Sequence, residues 1–192
     1  MGSDNLYALP PDLPVPVDDG ACQHLIALAL PPVALPSTAD RLVRLDEPFD
    51  GPTVLYCFPR IGRPDQDPLG GWAAWNAIPG ARGCTPQACA YRDYYAQLQE
   101  LQARVFGMST QLTADQQEAA ERLHLPFELL SDAALALTRA LSLPTFEHAG
   151  LTLLKRLTVV IERGRIAACF YPVFPPDADA PRVLAWLRER PA

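Results

Sequence analysis

The chain has 192 residues, of which 49% are hydrophobic and 20% charged, proportions typical of a globular domain able to bury a core without disulfide staples. Its 16 Lys and Arg against 22 Asp and Glu leave a net charge of −6, which repels nucleic-acid phosphates and anionic membranes and excludes both as expected partners. The 21 prolines exclude a bundle of long helices.

The start, Met1-Gly2-Ser3-Asp4-Asn5, lacks the basic region of a secretory signal, and Leu6 stands where a myristoylation motif carries Ser or Thr. His24 to Val33 is too short to span a bilayer and contains Pro31-Pro32. A cytoplasmic protein is therefore expected, in which cysteines are redox-active or metal-binding before they are structural disulfides. Residues 1–35, with LPPDLPVPV and ALPPVALPS, are expected to form an extended arm, because X-Pro pairs favour β and polyproline conformations. Residues 36–192 are expected to form the folded domain.

RLVRL and TVLYCF are predicted strands, the second suited to the centre of a sheet. From about 60 to 83 lies a predicted loop, dense in Pro and Gly and holding Trp72 and Trp75. Loops this long in compact domains are functional or mobile. Pro86 falls in the first turn of a predicted helix running to about Leu101, and ARVFGMS follows as a strand. Thr113 is expected to N-cap a helix through Leu123. FELL is a short strand, and Asp132 is expected to cap a helix to about Leu141. LTVVIE and RIAACFY pair as a hairpin through Arg163-Gly164. Asp177 or Asp179 starts the last helix, with Val183, Leu184 and Leu187 on its apolar face. Strands alternating with helices predict a three-layer α/β/α domain, and the closing hairpin makes its central sheet mixed.

The segment with chemical content is Gly83-Cys84-Thr85-Pro86-Gln87-Ala88-Cys89. Cys84 falls at a predicted helix N-terminus, where unpaired N–H groups and the positive end of the helix dipole favour a thiolate, the species that attacks peroxides and disulfides. Arg82 and Arg92 add positive charge nearby. If both cysteines are helical, their Cα atoms lie about 8.5 Å and about 140° apart, whereas a disulfide needs less than about 7 Å. Bridging therefore requires the first helical turns to unwind, which suits a reaction cycle better than a permanent staple. The plainer reading makes both cysteines small buried hydrophobes. Zinc is disfavoured, since no second Cys or His pair has ligand spacing.

At these residues the chain resembles the peroxiredoxins, most closely the peroxiredoxin Q (bacterioferritin-comigratory) branch. GCTPQACAYRD is similar to that branch's active-site stretch, and LPPVALPST, TVLYCFP, ARVFGMST, PFELLSD and KRLTVVIERGRI follow the family in order over roughly residues 31–190. The resemblance implies a thioredoxin-like fold and a thiol-dependent peroxidase needing no metal or organic cofactor. It implies Cys84 as peroxidatic nucleophile, Cys89 as resolving cysteine, and Arg156 as the strand arginine that binds peroxide and stabilises the thiolate; the plainer role for Arg156 is pairing with a carboxylate such as Glu162. A thioredoxin- or glutaredoxin-type reductant and a monomer or weak homodimer are implied with it.

The chain departs from the family's Pro-x-x-x-Thr/Ser-x-x-Cys pattern, carrying Ala81 at the hydroxyl position and Ala77 at the proline position. Pro59 corresponds to the family proline by strand context, with about 18 extra residues before Cys84, counting the 25-residue step against the motif's seven. Arg82, a backbone amide of the Gly80–Cys84 turn such as that of Gly83, or Thr85 is the candidate replacement for peroxide binding, with helix capping the favoured role for Thr85. Trp72 and Trp75 either form a lid over the site or, the favoured reading, anchor the loop to the domain. Cys57 and Cys169 are expected in the core, Cys22 has no evident partner, and His24, His124 and His148 are assigned no role. Two other functions share these features: a thioredoxin-fold thiol–disulfide oxidoreductase or redox sensor that no longer binds peroxide, and a non-catalytic module using the Trp-bearing loop as a partner surface.

Overall fold

The computed structural model describes residues 5–190; the Met1–Asp4 start, examined above for targeting signals, lies outside them. In chain order the elements begin with β1 (Ala34–Pro36), β2 (Leu42–Arg44), β3 (Thr53–Cys57), α1 (Gly71–Asn76), α2 (Cys84–Asp93), α3 (Tyr95–Glu100), β4 (Arg104–Ser109) and α4 (Thr113–Arg122). They continue with β5 (Glu128–Ser131), α5 (Ala136–Ala140), β6 (Thr145–His148), β7 (Leu151–Leu154), β8 (Leu157–Glu162), β9 (Arg165–Phe170) and α6 (Asp179–Arg188).

β3 is buried at all five positions, which its unbroken apolar run requires, because both faces of a central strand are covered. It pairs in parallel with β4 and antiparallel with β8, giving a mixed sheet of order β5-β4-β3-β8-β9. Alternate side chains of β3 sort to opposite faces. Val54 and Tyr56 meet Ala88 and Tyr91 of α2 and Val183, Leu184 and Leu187 of α6. Leu55 and Cys57 meet Leu137 of α5 and Leu25, Leu30 and Leu35 of the N-terminal segment. These layers form the thioredoxin-like α/β fold.

Tyr56 stacks on Tyr91 with ring centroids 4.3 Å apart and meets Phe127 edge-on at 5.9 Å. Gly107 in β4 makes that arrangement possible, since a Cβ there would lie 2.5 Å from Tyr56 Cζ and 2.6 Å from Leu129 Cδ2.

Several expectations are corrected by the coordinates. The helix expected to reach Leu101 divides at Tyr94, where φ and ψ are −94° and 2°. Thr113 is the first helical residue rather than the cap, which is Leu112. Asp132 lies upstream of α5, whose cap position is Leu135, yet its carboxylate accepts the N–H of Leu137 at 3.2 Å and of Thr138 at 2.7 Å. The loop after β3 contains α1, built from GWAAWN. The β6–β7 hairpin, with its turn at Ala149-Gly150, was not anticipated.

Gly107→Ala is expected to lower unfolding free energy in urea by about 1–3 kcal/mol, the usual cost of forcing a packed core apart. A value within about 0.3 kcal/mol of wild type would show that the Tyr56 ring yields without cost.

Candidate active site

Cys84 is the first residue of α2, and Gly83 before it has a φ of 101°. That backbone conformation favours glycine. The space around it demands glycine as well: a Cβ at Gly83 would lie 2.6 Å from Pro176 Cγ and 2.7 Å from Leu9 Cδ2. The tight turn delivers the Cys84 thiol to the floor of a small cavity of about 70 Å³. Thr85, Gly83, Arg82, Gln111 and Trp75 line it, with Ile61–Arg63 of the loop and Leu6 of the N-terminal segment.

Arg156, between β7 and β8, reaches the same thiol from below. It is only 3% exposed, and a buried guanidinium needs its N–H groups satisfied. Nη2 donates to Cys84 Sγ at 3.1 Å and to the carbonyls of Ala81 and Arg82 at 3.2 Å each. Nε donates to Gly80 O at 3.3 Å, and Nη1 donates to Gln87 Oε1. The thiol in turn donates to Ala81 O at 3.6 Å. Glu162 is not its partner; that carboxylate pairs with Arg190 at 3.0 Å.

Behind Arg156 stands a buried network that sequence reading missed. Asp179 Oδ2 accepts Gln87 Nε2 at 2.7 Å, Tyr91 OH at 2.9 Å and Thr158 Oγ1 at 2.7 Å. Burial pushes the Asp179 carboxyl up from the usual range, against the hydrogen bonds of Thr158, Gln87 and Tyr91 and the charge of Arg156. The available signal was Thr158, a hydroxyl within the apolar run LTVVIE, and Gln87, a polar residue one turn after Cys84.

The other expected residues divide. Arg82 lines the cavity, but its Nη2 donates to Asn5 O at 2.5 Å and Ala8 O at 3.3 Å, and its guanidinium lies over the Trp72 ring at 4.4 Å. Thr85 does not cap α2, whose cap is Gly83; it is buried on the cavity wall. Arg92 lies in the last turn of α2, bonded to Asp93 and Leu123 O, and it lowers the thiol of Cys89, which burial raises, rather than serving Cys84. Cys89 is partly buried against the helix-side core, and both cysteines are free thiols.

Trp75 anchors the loop and also walls the cavity. It packs with Ala81 and Leu153 of β7, and lies beside His148, whose Nε2 bonds to Leu69 O at 2.8 Å. Trp72 Nε1 donates to Asp67 at 3.0 Å. Histidine 148, assigned nothing from sequence, thus holds the loop down.

The fold is that of the redoxins, and residues 27–186 match the Redoxin family model. The chain belongs to the Redoxin family, in its peroxiredoxin Q/bacterioferritin-comigratory branch. A putative peroxiredoxin of Mycobacterium tuberculosis H37Rv is 30% identical over 140 residues, covering 72% of this chain and 79% of that one. Chloroplastic peroxiredoxin Q of Sedum lineare is 29% identical over 141 residues, 73% of this chain and 65% of the relative. The chain thus spans somewhat under two thirds of the chloroplastic protein's length. Among solved structures, peroxidoxin BcpB of Mycobacterium tuberculosis superposes with a TM-score of 0.69 at 26% identity, over 87% of this chain and 98% of that one.

Asp179→Ala leaves three buried donors without an acceptor and is expected to cost about 3 kcal/mol of stability in urea unfolding. The wild-type carboxyl also makes stability depend on pH. Because its folded pKa is raised, the stability it contributes is complete below the unfolded carboxyl value of about 3.9 and is lost as pH rises through the folded value. Asp179→Asn keeps an oxygen acceptor and removes that loss, so its stability relative to wild type is expected to rise between pH 4 and 7. Parallel pH profiles would show that the folded protein does not raise the Asp179 carboxyl.

Proposed function

We propose that the protein is a thiol-dependent peroxidase reducing hydrogen peroxide or organic hydroperoxides, with Cys84 as peroxidatic and Cys89 as resolving cysteine. The observation that carries this reading is the Arg156 guanidinium donating to Cys84 Sγ at 3.1 Å at the floor of a cavity lined by Thr85 and the Gly83 turn. Arg156 and the N-terminus of α2 both put positive potential at the sulfur. A hydroperoxide entering the cavity meets the sulfur end-on. The Cys84 thiolate attacks the nearer oxygen, the O–O bond breaks, and the departing alkoxide or hydroxide takes a proton. In this reading Arg156 and backbone N–H groups of the Gly83–Thr85 turn hold the charge that develops on oxygen. Thr85 supplies the hydroxyl that Ala81 lacks.

The product on Cys84 is a sulfenic acid, which condenses with the Cys89 thiol to form a disulfide and release water. Thiol–disulfide exchange with a thioredoxin- or glutaredoxin-type donor restores both thiols. A reducing compartment such as the cytoplasm supplies such donors. No metal or organic cofactor enters the cycle. Among the described residues, 5–35 act as a strap and 36–190 as the redox domain.

The test is thiol-dependent consumption of hydrogen peroxide and an alkyl hydroperoxide. Cys84→Ser is expected to lower kcat/KM by at least about 10³-fold, and Arg156→Ala by about 10²–10³-fold. Cys89→Ser is expected to keep the first turnover and to accumulate a sulfenic acid on Cys84 that dimedone traps. Equal rates in wild type and Cys84→Ser overturn the reading. Because Ala81 carries no hydroxyl, one alternative stands: rapid disulfide exchange with peroxide reactivity no greater than free cysteine would assign a thiol–disulfide oxidoreductase or redox sensor.

A further inference from the structure

The N-terminal segment lies against the free edge of β9. Ala27 N–H donates to Ile166 O at 2.8 Å, Ile166 N–H to Leu28 O at 2.9 Å and Leu30 N–H to Gly164 O at 2.9 Å, with Ala29 and Arg165 antiparallel. Followed backwards from Leu30, the segment runs along β9 towards Tyr171. There Asp19 accepts Tyr171 OH at 2.8 Å and pairs with Lys155 Nζ at 2.6 Å.

Between these two attachments the Cys22 and Cys169 thiols are neighbours, Cys169 together with burial pushing the Cys22 thiol up and Cys22 holding the Cys169 thiol below its usual range. Both cysteines line one cleft of about 150 Å³, with Ile26 and Tyr171 among its walls. Cys57 is fully buried and does not line that cleft. Core packing accounts for Cys57. It does not account for two neighbouring thiols lining one cleft, one on the segment and one on the strand that holds it.

We propose that Cys22 and Cys169 form a second redox-active dithiol, distinct from Cys84 and Cys89, that a low-molecular-weight disulfide converts into a covalent clasp between the N-terminal segment and β9. Cys169 is the attacking sulfur, because it is the partly exposed one of the pair while Cys22 is buried, and the neighbouring Cys22 lowers the Cys169 thiol while its own is raised. The Cys169 thiolate attacks one sulfur of the small disulfide, breaking its S–S bond and releasing one thiolate. Cys22 then gives up its proton and attacks the Cys169 sulfur of the mixed disulfide, releasing the second thiolate. Two protein thiols are oxidised and one disulfide is reduced to two thiols. The consequence reaches the peroxidatic site, because the same segment places Leu6 in the wall of the Cys84 cavity and Leu9 against Gly83. The clasp fixes the far end of that strap.

The experiment treats the full-length Cys84→Ser/Cys89→Ser protein, and wild type in parallel, with oxidised glutathione, then blocks free thiols and maps tryptic peptides without reduction. The expected result is a link between the peptide ending at Arg41, which holds Cys22, and Ile166–Arg182, which holds Cys169. The link is expected to disappear in Cys22→Ser, and proteolysis within the segment to slow at least about fivefold on oxidation. Alkylation of both cysteines in wild type and variant, or a stable glutathione adduct on Cys169 with Cys22 free, overturns the proposal. Because the oxidant is a disulfide, the outcome does not depend on whether Cys84 reduces peroxide.

Discussion

The buried guanidinium of Arg156 is the constraint around which the site is built. A charge in a low-dielectric interior is tolerated only when its donors are satisfied, and here three acceptors are the successive carbonyls of Gly80, Ala81 and Arg82. Those carbonyls can turn inward only if the chain folds back just before α2. The geometry that satisfies the arginine is therefore the geometry that presents Cys84. The thiol shares Nη2 with the Ala81 and Arg82 carbonyls, so sulfur and arginine position each other. Gln87 in turn joins the guanidinium to Asp179.

Ala81 looks like a defect in the family pattern, but the packing around it gives the reason for an apolar residue. Its side chain is buried between Trp75 and Leu153, with Leu69, Ile78 and Phe146 close by. A Ser or Thr there would bury a hydroxyl among apolar groups. The long loop has moved its aromatic anchor into that space, and the β6–β7 hairpin has come up to meet it. His148 completes the attachment by bonding Leu69 O. Loop, hairpin and Ala81 therefore belong to one substitution of packing for polarity at the roof of the site, while the carbonyl of residue 81 keeps its role beneath.

The fold was legible wherever a periodic pattern met its usual partner. TVLYCF, LTVVIE and RIAACFY each carried enough β-branched and aromatic residues to identify a strand, and Val183, Leu184 and Leu187 marked the buried face of α6. Cys84 and Arg156 were legible through the resemblance. What escaped had no local signature. The hairpin over 145–154 lacks strong turn chemistry, with Ala149 at a φ of 49°. Asp179 reads as a helix-starting acid in sequence, and only the approach of α6 to α2 reveals it as a shared acceptor. Likewise Cys22 and Cys169 are 147 residues apart in the chain, and nothing short of the edge pairing with β9 brings them together.

The same contacts set what must break if Cys89 is to reach Cys84 as the proposed cycle requires. The two cysteines lie on one helix and face different sides of it, so the first turn of α2 has to open. Gln87 sits within that turn. Its N–H bonds to Gly83 O at 3.0 Å, and its side chain joins Arg156 to Asp179. Opening the turn therefore breaks the link between the buried cation and the buried carboxyl at the same time. It also displaces Gly83 from between Pro176 and Leu9, so both the approach to α6 and the N-terminal segment resist it. The reduced state is stabilised by the groups that poise Cys84 for attack. In the proposed cycle, positioning for the first step and release for the second thus fall to one network, with Gln87 at the point where they meet.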